Sequence, residues 1–183
     1  MSVQRIPIIA VIGSGQSAHP ELSAEVGERV ARAGCHLLTG GGQGVMAATS
    51  RAFCEVQPRR GLCIGVTPRI GSYKEGTFGQ RPPNPWVELP IATHLLGGAS
   101  EGIDSRNPIN VLSAAAVIAL PGGLGTWAEV RLSRHFCRPI LAYLRPTDHD
   151  PAPSIGGRAA DALGIPVTES LAEVEAFLQR HTE

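Results

Sequence analysis

The chain has 183 residues, with 16 Lys plus Arg against 16 Asp plus Glu. That length suits one domain able to bury a core without disulfide or metal staples, and the even charge excludes a global field that would recruit nucleic acid or an anionic membrane, so any anion site must be local. No apolar run reaches the roughly 18 residues of a membrane span, and the N-terminus runs straight into a strand-like segment instead of a cleavable signal, which implies a cytosolic protein.

Residues 6–13 form a continuous apolar, β-branched run, the pattern of a strand covered on both faces. Residues 19–34 place Leu22, Val26, Val30 and Ala33 at helical spacing, with Gly34 as the stop. A short strand over 36–40 runs into the glycine cluster 40–44, a helix over 45–56 follows, and 61–68 reads as the third strand. Residues 69–86 lack periodicity and are crowded with Gly, Pro and charge, so they read as a long loop, with 69–85 a candidate lid. Residues 87–91 suggest a short strand, and an irregular stretch over 93–105 leads to Arg106.

Asn107 reads as an N-cap with Pro108 in the first helical position. The helix 108–115 feeds a strand over 116–121, and Gly122, Gly123 and Gly125 turn the chain into a helix over 126–136. A covered strand over 138–144, a surface loop over 148–157, a short strand within 165–170 and an amphipathic helix over 170–181 complete the chain. Repeated strand, turn and helix predict the α/β class: a single-domain (1–183) Rossmann-like doubly wound parallel sheet with helices on both faces. Ligands bind such sheets beyond the carboxyl ends of the strands, which directs attention to the strand-to-helix turns.

Cys35, Cys54, Cys63 and Cys137 lack CxxC spacing and lie in or beside apolar segments, as reduced core cysteines do. The six histidines show neither HxxxH nor HxH spacing, so no protein-bound metal is expected.

The turn at 13–18 satisfies GxGxxA after a strand, with Gly13, Ser14 and Gly15 at its head. It fits a dinucleotide site, a turn whose amides line a phosphate or carboxylate pocket, or a structural turn. The second strand ends in glycines where a dinucleotide enzyme carries an acidic residue for the ribose, which disfavours the first of these. The turn at 39–44 brings Gly40, Gly41, Gly42 and Gly44 to a helix N-terminus, where backbone amides and the macrodipole favour an anion. No Gly-Lys-Ser/Thr follows either turn, so neither is a Walker loop.

The turn at 121–126 carries most information. Thr126 can cap the helix or give its hydroxyl to a phosphate oxygen, while the amides of Gly122, Gly123 and Gly125 face the same place. Glu129 is placed in the first turn of this helix, where it either complements the dipole or serves a ligand. Arg106 is either a solvated loop arginine or a bidentate phosphate binder, since parallel-sheet geometry brings its turn to the same edge as Glu129. Lys74, Arg81, Glu101 and Asp104 are softer candidates that read first as solvated charges.

Together the segments TGGGQGVM, SRN and PGGLGTWAE resemble the lonely-guy-type Rossmann family, formerly labelled lysine decarboxylase-like, over nearly the whole chain. In that family's enzymes, which split a nucleoside 5′-monophosphate into base and ribose 5-phosphate, the motif arginine and glutamate are the catalytic pair. The resemblance maps them onto Arg106 and Glu129, with Gly122, Gly123, Gly125 and Thr126 on the phosphate. Asn107 stands where those enzymes usually have Lys, and GGGQGVM is one residue shorter than their GGGxxGLM. Both departures are similar to the branch that includes molybdenum cofactor carrier proteins. The resemblance therefore implies a homo-oligomeric carrier (dimer or tetramer) of molybdenum cofactor or a similar phosphorylated pterin, partnered by molybdoenzymes or cofactor-synthesis proteins. Its alternative is a phosphoribohydrolase using Arg106 and Glu129.

Overall fold

The computed structural model describes residues 5–72, 74–98, 102, 104–145 and 164–182. Glu101 and the loop over 148–157 lie outside them.

Seven parallel strands form the main sheet: β1 (Ile8–Ile12), β2 (His36–Thr39), β3 (Cys63–Thr67), β6 (Leu89–Ala92), β7 (Ala116–Ala119), β8 (Ile140–Tyr143) and β9 (Val167–Thr168), in the order β6-β3-β2-β1-β7-β8-β9. Among the described residues the helices are α1 (Pro20–Arg32), α2 (Val45–Glu55), α3 (Asn107–Ser113), α4 (Leu124–His135) and α5 (Leu171–Thr182). Because successive strand residues face opposite ways, each strand feeds two cores. Ile9, Val11, Leu37, Ile118 and Leu141 pack beneath Leu22 and Val26 of α1, Phe53 of α2 and Phe177 of α5. Ala10, Ile12, Leu38, Val117 and Ala142 pack on the other side with Val130 of α4 and Ala114 at the end of α3. This two-sided burial is why the strands read as unbroken apolar runs.

The helix predicted over 19–34 is shorter: His19 is its N-cap, Pro20 opens it, and Ala33 is exposed past its end. Glu21 in its first turn and Arg29 and Arg32 in its last complement the macrodipole. The stretch read as a loop over 69–86 contains a short antiparallel hairpin, β4 (Arg69–Ile70) with β5 (Gly79–Gln80). The strand expected over 87–91 is displaced to Leu89–Ala92, an exposed edge strand paired with β3. Glu88 fixes its start, accepting the Cys63 N–H at 2.8 Å and Arg59 Nη2 at 2.7 Å.

Candidate functional site

From β1 the chain builds β2, β3 and β6 to one side, then crosses back to place β7, β8 and β9 on the other. The carboxyl ends of β1 and β7 therefore mark the point where strand order reverses, the crevice in which doubly wound sheets take ligands. The two turns leaving these strands are tied together, Ser14 N–H donating to the Pro121 carbonyl at 2.9 Å. A cleft of about 350 Å³ opens there, lined by Gly13, Ser14, Gly15, Gly40, Arg106, Asn107, Gly123, Gly125, Thr126 and Glu129, with Gln16, Met46, Arg81 and Gly98 among the rest of the wall.

The positive wall is the start of α4. Gly123 is its N-cap and no side chain caps it. The Trp127 N–H to the Gly123 carbonyl is the opening helical bond at 3.0 Å, so the amides of Leu124, Gly125 and Thr126 have no intrahelical acceptor. Thr126 is thus a residue of the first turn and not the cap; its buried hydroxyl oxygen would lie 2.1 Å from a Cβ placed on Gly122. Only a glycine at 122 lets the turn lie that close.

Arg106 enters from the amino end of α3. It, and not Asn107, is the N-cap. The Asn107 N–H instead donates to Ser105 Oγ at 3.1 Å, and Asn107 Nδ2 to the Gly98 carbonyl at 2.8 Å, which fixes the approach to the helix. The Arg106 guanidinium points its Nη edge at Gly40, where a Cβ would stand 2.2 Å from Nη2, 2.5 Å from Nη1 and 2.7 Å from Cζ. The residue is only 8% exposed, and its Nε and Nη1 have no hydrogen-bond partner.

Glu129 is not in the first turn of α4, since the helix begins at Leu124, so dipole complementation does not account for it. It is 8% exposed, accepts Asn110 Nδ2 at 2.7 Å and lies 3.9 Å from Arg106 Nη1. Burial pushes its carboxyl above the usual 4.5, against the pull of Arg106 and the Asn110 bond. Burial pushes the Arg106 guanidinium down from its ordinary value, Glu129 opposing this and the charge of Arg81 adding to it. The pair is a buried, incompletely satisfied charge system, a costly arrangement that usually marks a place for a ligand.

Four of the glycines read as site residues do not line the cleft. Gly41 and Gly42 offer their carbonyls to Asn84, which donates its N–H to Gly41 at 2.8 Å and Nδ2 to Gly42 at 3.0 Å. Gly44 has φ 64, and a Cβ there would lie 2.4 Å from the Ser14 carbonyl oxygen. Gly122 sits beneath Thr126 as described. The first amide of α2 is engaged within the protein, the Val45 N–H donating to the Ser14 carbonyl at 2.9 Å, while the next residue, Met46, lines the cleft. The GxGxxA match does not build a dinucleotide fingerprint either: α1 starts only at Pro20, and Ser14 Oγ accepts the Gln16 and Ser17 N–H groups in between.

Of the softer candidates, Arg81 reaches the cleft, while Lys74 and Asp104 are not part of its wall. Asn110 was missed, although its position one helical turn beyond Arg106 was a usable signal. Met46 and Gly98 reach the cleft through tertiary packing that no local pattern marks. None of the four cysteines, all free, lines the cleft. Among the described residues no cluster of His, Cys, Asp or Glu could hold a metal ion, and no helix is long and apolar enough to cross a membrane.

A strand order reversing at a glycine-walled cleft, with a buried Arg–Glu pair in that wall, makes this cleft the candidate site of an α/β protein. The chain belongs to the SLOG cluster4 family, whose model matches residues 6–160. It is 32% identical over 127 residues to an uncharacterized protein of Archaeoglobus fulgidus, spanning 68% of this chain and 72% of that one. It is also similar to the molybdenum cofactor carrier protein of Chlamydomonas reinhardtii, at 29% identity and TM-score 0.70 over 96% of this chain and 98% of that one. The molybdenum cofactor binding protein of Rippkaea orientalis is 28% identical, with TM-score 0.71 over 97% and 98%.

Proposed function

We propose that the cleft binds a phosphorylated small molecule and that the protein is a carrier of molybdenum cofactor or a similar phosphorylated pterin. One observation carries this reading: the uncapped start of α4 and a buried arginine with unpartnered N–H groups belong to the same cleft wall. An anion there would accept from the amides and the guanidinium together, completing bonds that are otherwise missing. The cleft volume lies in the range of small-molecule sites. With no cysteine in the wall, recognition would rest on the phosphate end, the cofactor keeping its metal on its own ligands. The similarity to two proteins described as carrying or binding this cofactor supports the same ligand class.

The second reading is a phosphoribohydrolase, favoured by one feature, the Arg106–Glu129 pair in the wall. Glu129 would stabilise the positive ribose or activate water, and Arg106 would orient it. Incubation with AMP and isopentenyladenosine monophosphate distinguishes the two. A carrier releases no free base and binds the pterin tightly, whereas base release abolished by Glu129→Gln would overturn the carrier reading.

A further inference from the structure

The cleft contains a cation that the family motifs do not include. Arg81 lines it from the segment after β5, and its charge is close enough to depress the Arg106 guanidinium. Its placement is built into the fold at both ends of the segment. Upstream, Gln80 Nε2 donates to the Thr93 carbonyl at 2.9 Å, and the Arg81 N–H to Pro68 at 3.3 Å. Downstream, buried Asn84 is locked to the carbonyls of Gly41 and Gly42. The exposed Arg81 guanidinium has no carboxylate partner among the described residues, and the single carboxylate of the cleft wall, Glu129, is already engaged by Asn110 and Arg106. The wall therefore holds one positive charge beyond those it neutralises, beside a helix N-terminus of the same sign.

Resting on the proposed phosphate site, we infer that Arg81 is a specificity-determining residue that makes the cleft select a doubly charged phosphate monoester over a singly charged diester. A monoester above its second pKa of about 6 carries two negative charges. Arg106 and the α4 amides would hold one edge of it from the base of the cleft, and Arg81 would match the second charge from the rim. A diester lacks that charge and gains nothing from Arg81. The second glycine turn acquires a role as well, since Gly41 and Gly42 hold Asn84 and through it the position of Arg81.

The test is calorimetric titration at pH 8 with AMP and with AMP methylated on its phosphate, which differ by one charge. The wild-type protein should bind AMP about tenfold more tightly than the ester. R81Q should lose that preference while keeping the wild-type Tm, because the side chain is exposed, and R81K should keep part of it. Equal affinity of the wild-type protein for the two ligands, or a full preference retained by R81Q, would overturn the role of Arg81 and leave the phosphate site standing. Failure of AMP, the ester and inorganic phosphate all to bind the wild-type protein would remove the proposed site itself, and Arg81 with it.

Discussion

At the residue scale the site is an exception to the rule that buried polar groups find partners. Arg106 and Glu129 are held 3.9 Å apart, yet Arg106 Nε and Nη1 and Asn110 Oδ1 remain without hydrogen bonds. Replacing a buried ion pair with uncharged groups of similar volume is often neutral or stabilising. The variant R106M/E129Q is therefore expected to keep or exceed the wild-type Tm while losing phosphate binding, as measured by thermal unfolding and calorimetry. The pH dependence has a definite sign. The carboxyl of folded Glu129 titrates above its usual 4.5, so its contribution to stability is fully present below that pH and is lost as pH rises through the raised value. The Tm advantage of the double variant should accordingly grow as pH increases from 4.5 upwards, and a constant difference would count against burial of Glu129 as the cause. Arg106 and Glu129 were legible because residue type and chain order marked them. The first-turn position expected for Glu129 was wrong because α4 begins two residues earlier than its threonine suggested, with a glycine as cap.

At the element scale, two glycines of one turn have different work, and substitution separates them. A Cβ on Gly40 meets the end of a flexible side chain, the Arg106 guanidinium, which can swing away. G40A should weaken phosphate binding about tenfold through displacement of that arginine, with a loss in Tm of no more than about 3 °C. A Cβ on Gly44 meets the backbone carbonyl of Ser14 at 2.4 Å from a left-handed φ of 64, and neither can relax cheaply. G44A should cost about 1–3 kcal/mol in urea unfolding. Equal effects of the two changes on stability would contradict this division. The strands were readable because both faces of β1, β2, β3, β7 and β8 are buried, which leaves no polar alternation. The β4–β5 hairpin was not, since two paired residues on each strand are too few to set up a period. The edge strand β6 was misplaced by two residues at its start because exposure on both faces removes the apolar signal that fixes a boundary.

At the scale of the whole molecule, burial is uneven. Leu112 on α3 and Leu124 on α4 are 44% and 56% exposed, and Leu89 and Ile91 are exposed on the β6 edge. Where exposed apolar side chains join into one patch, they mark contacts with another chain. Self-association is proposed here through the α3 and α4 side, which also places a partner near the mouth of the cleft beside Leu124. Light scattering should give a mass of at least twice the 19.2 kDa of one chain, and L112E/L124E should reduce it to one. A wild-type protein that runs as a single chain would refute this. The layered architecture was legible from the alternation of strand and helix alone. That β1 and β7 are neighbours, so that their turns are tied directly together, was not, because it depends on a crossover that no local pattern encodes.

The most direct measurement is a crystal structure of the protein grown with inorganic phosphate. Tetrahedral density is expected in the cleft, within hydrogen-bond distance of the Arg106 guanidinium and of the amides at Leu124, Gly125 and Thr126. A cleft empty of phosphate, with Arg106 and Glu129 turned away from one another, would contradict it.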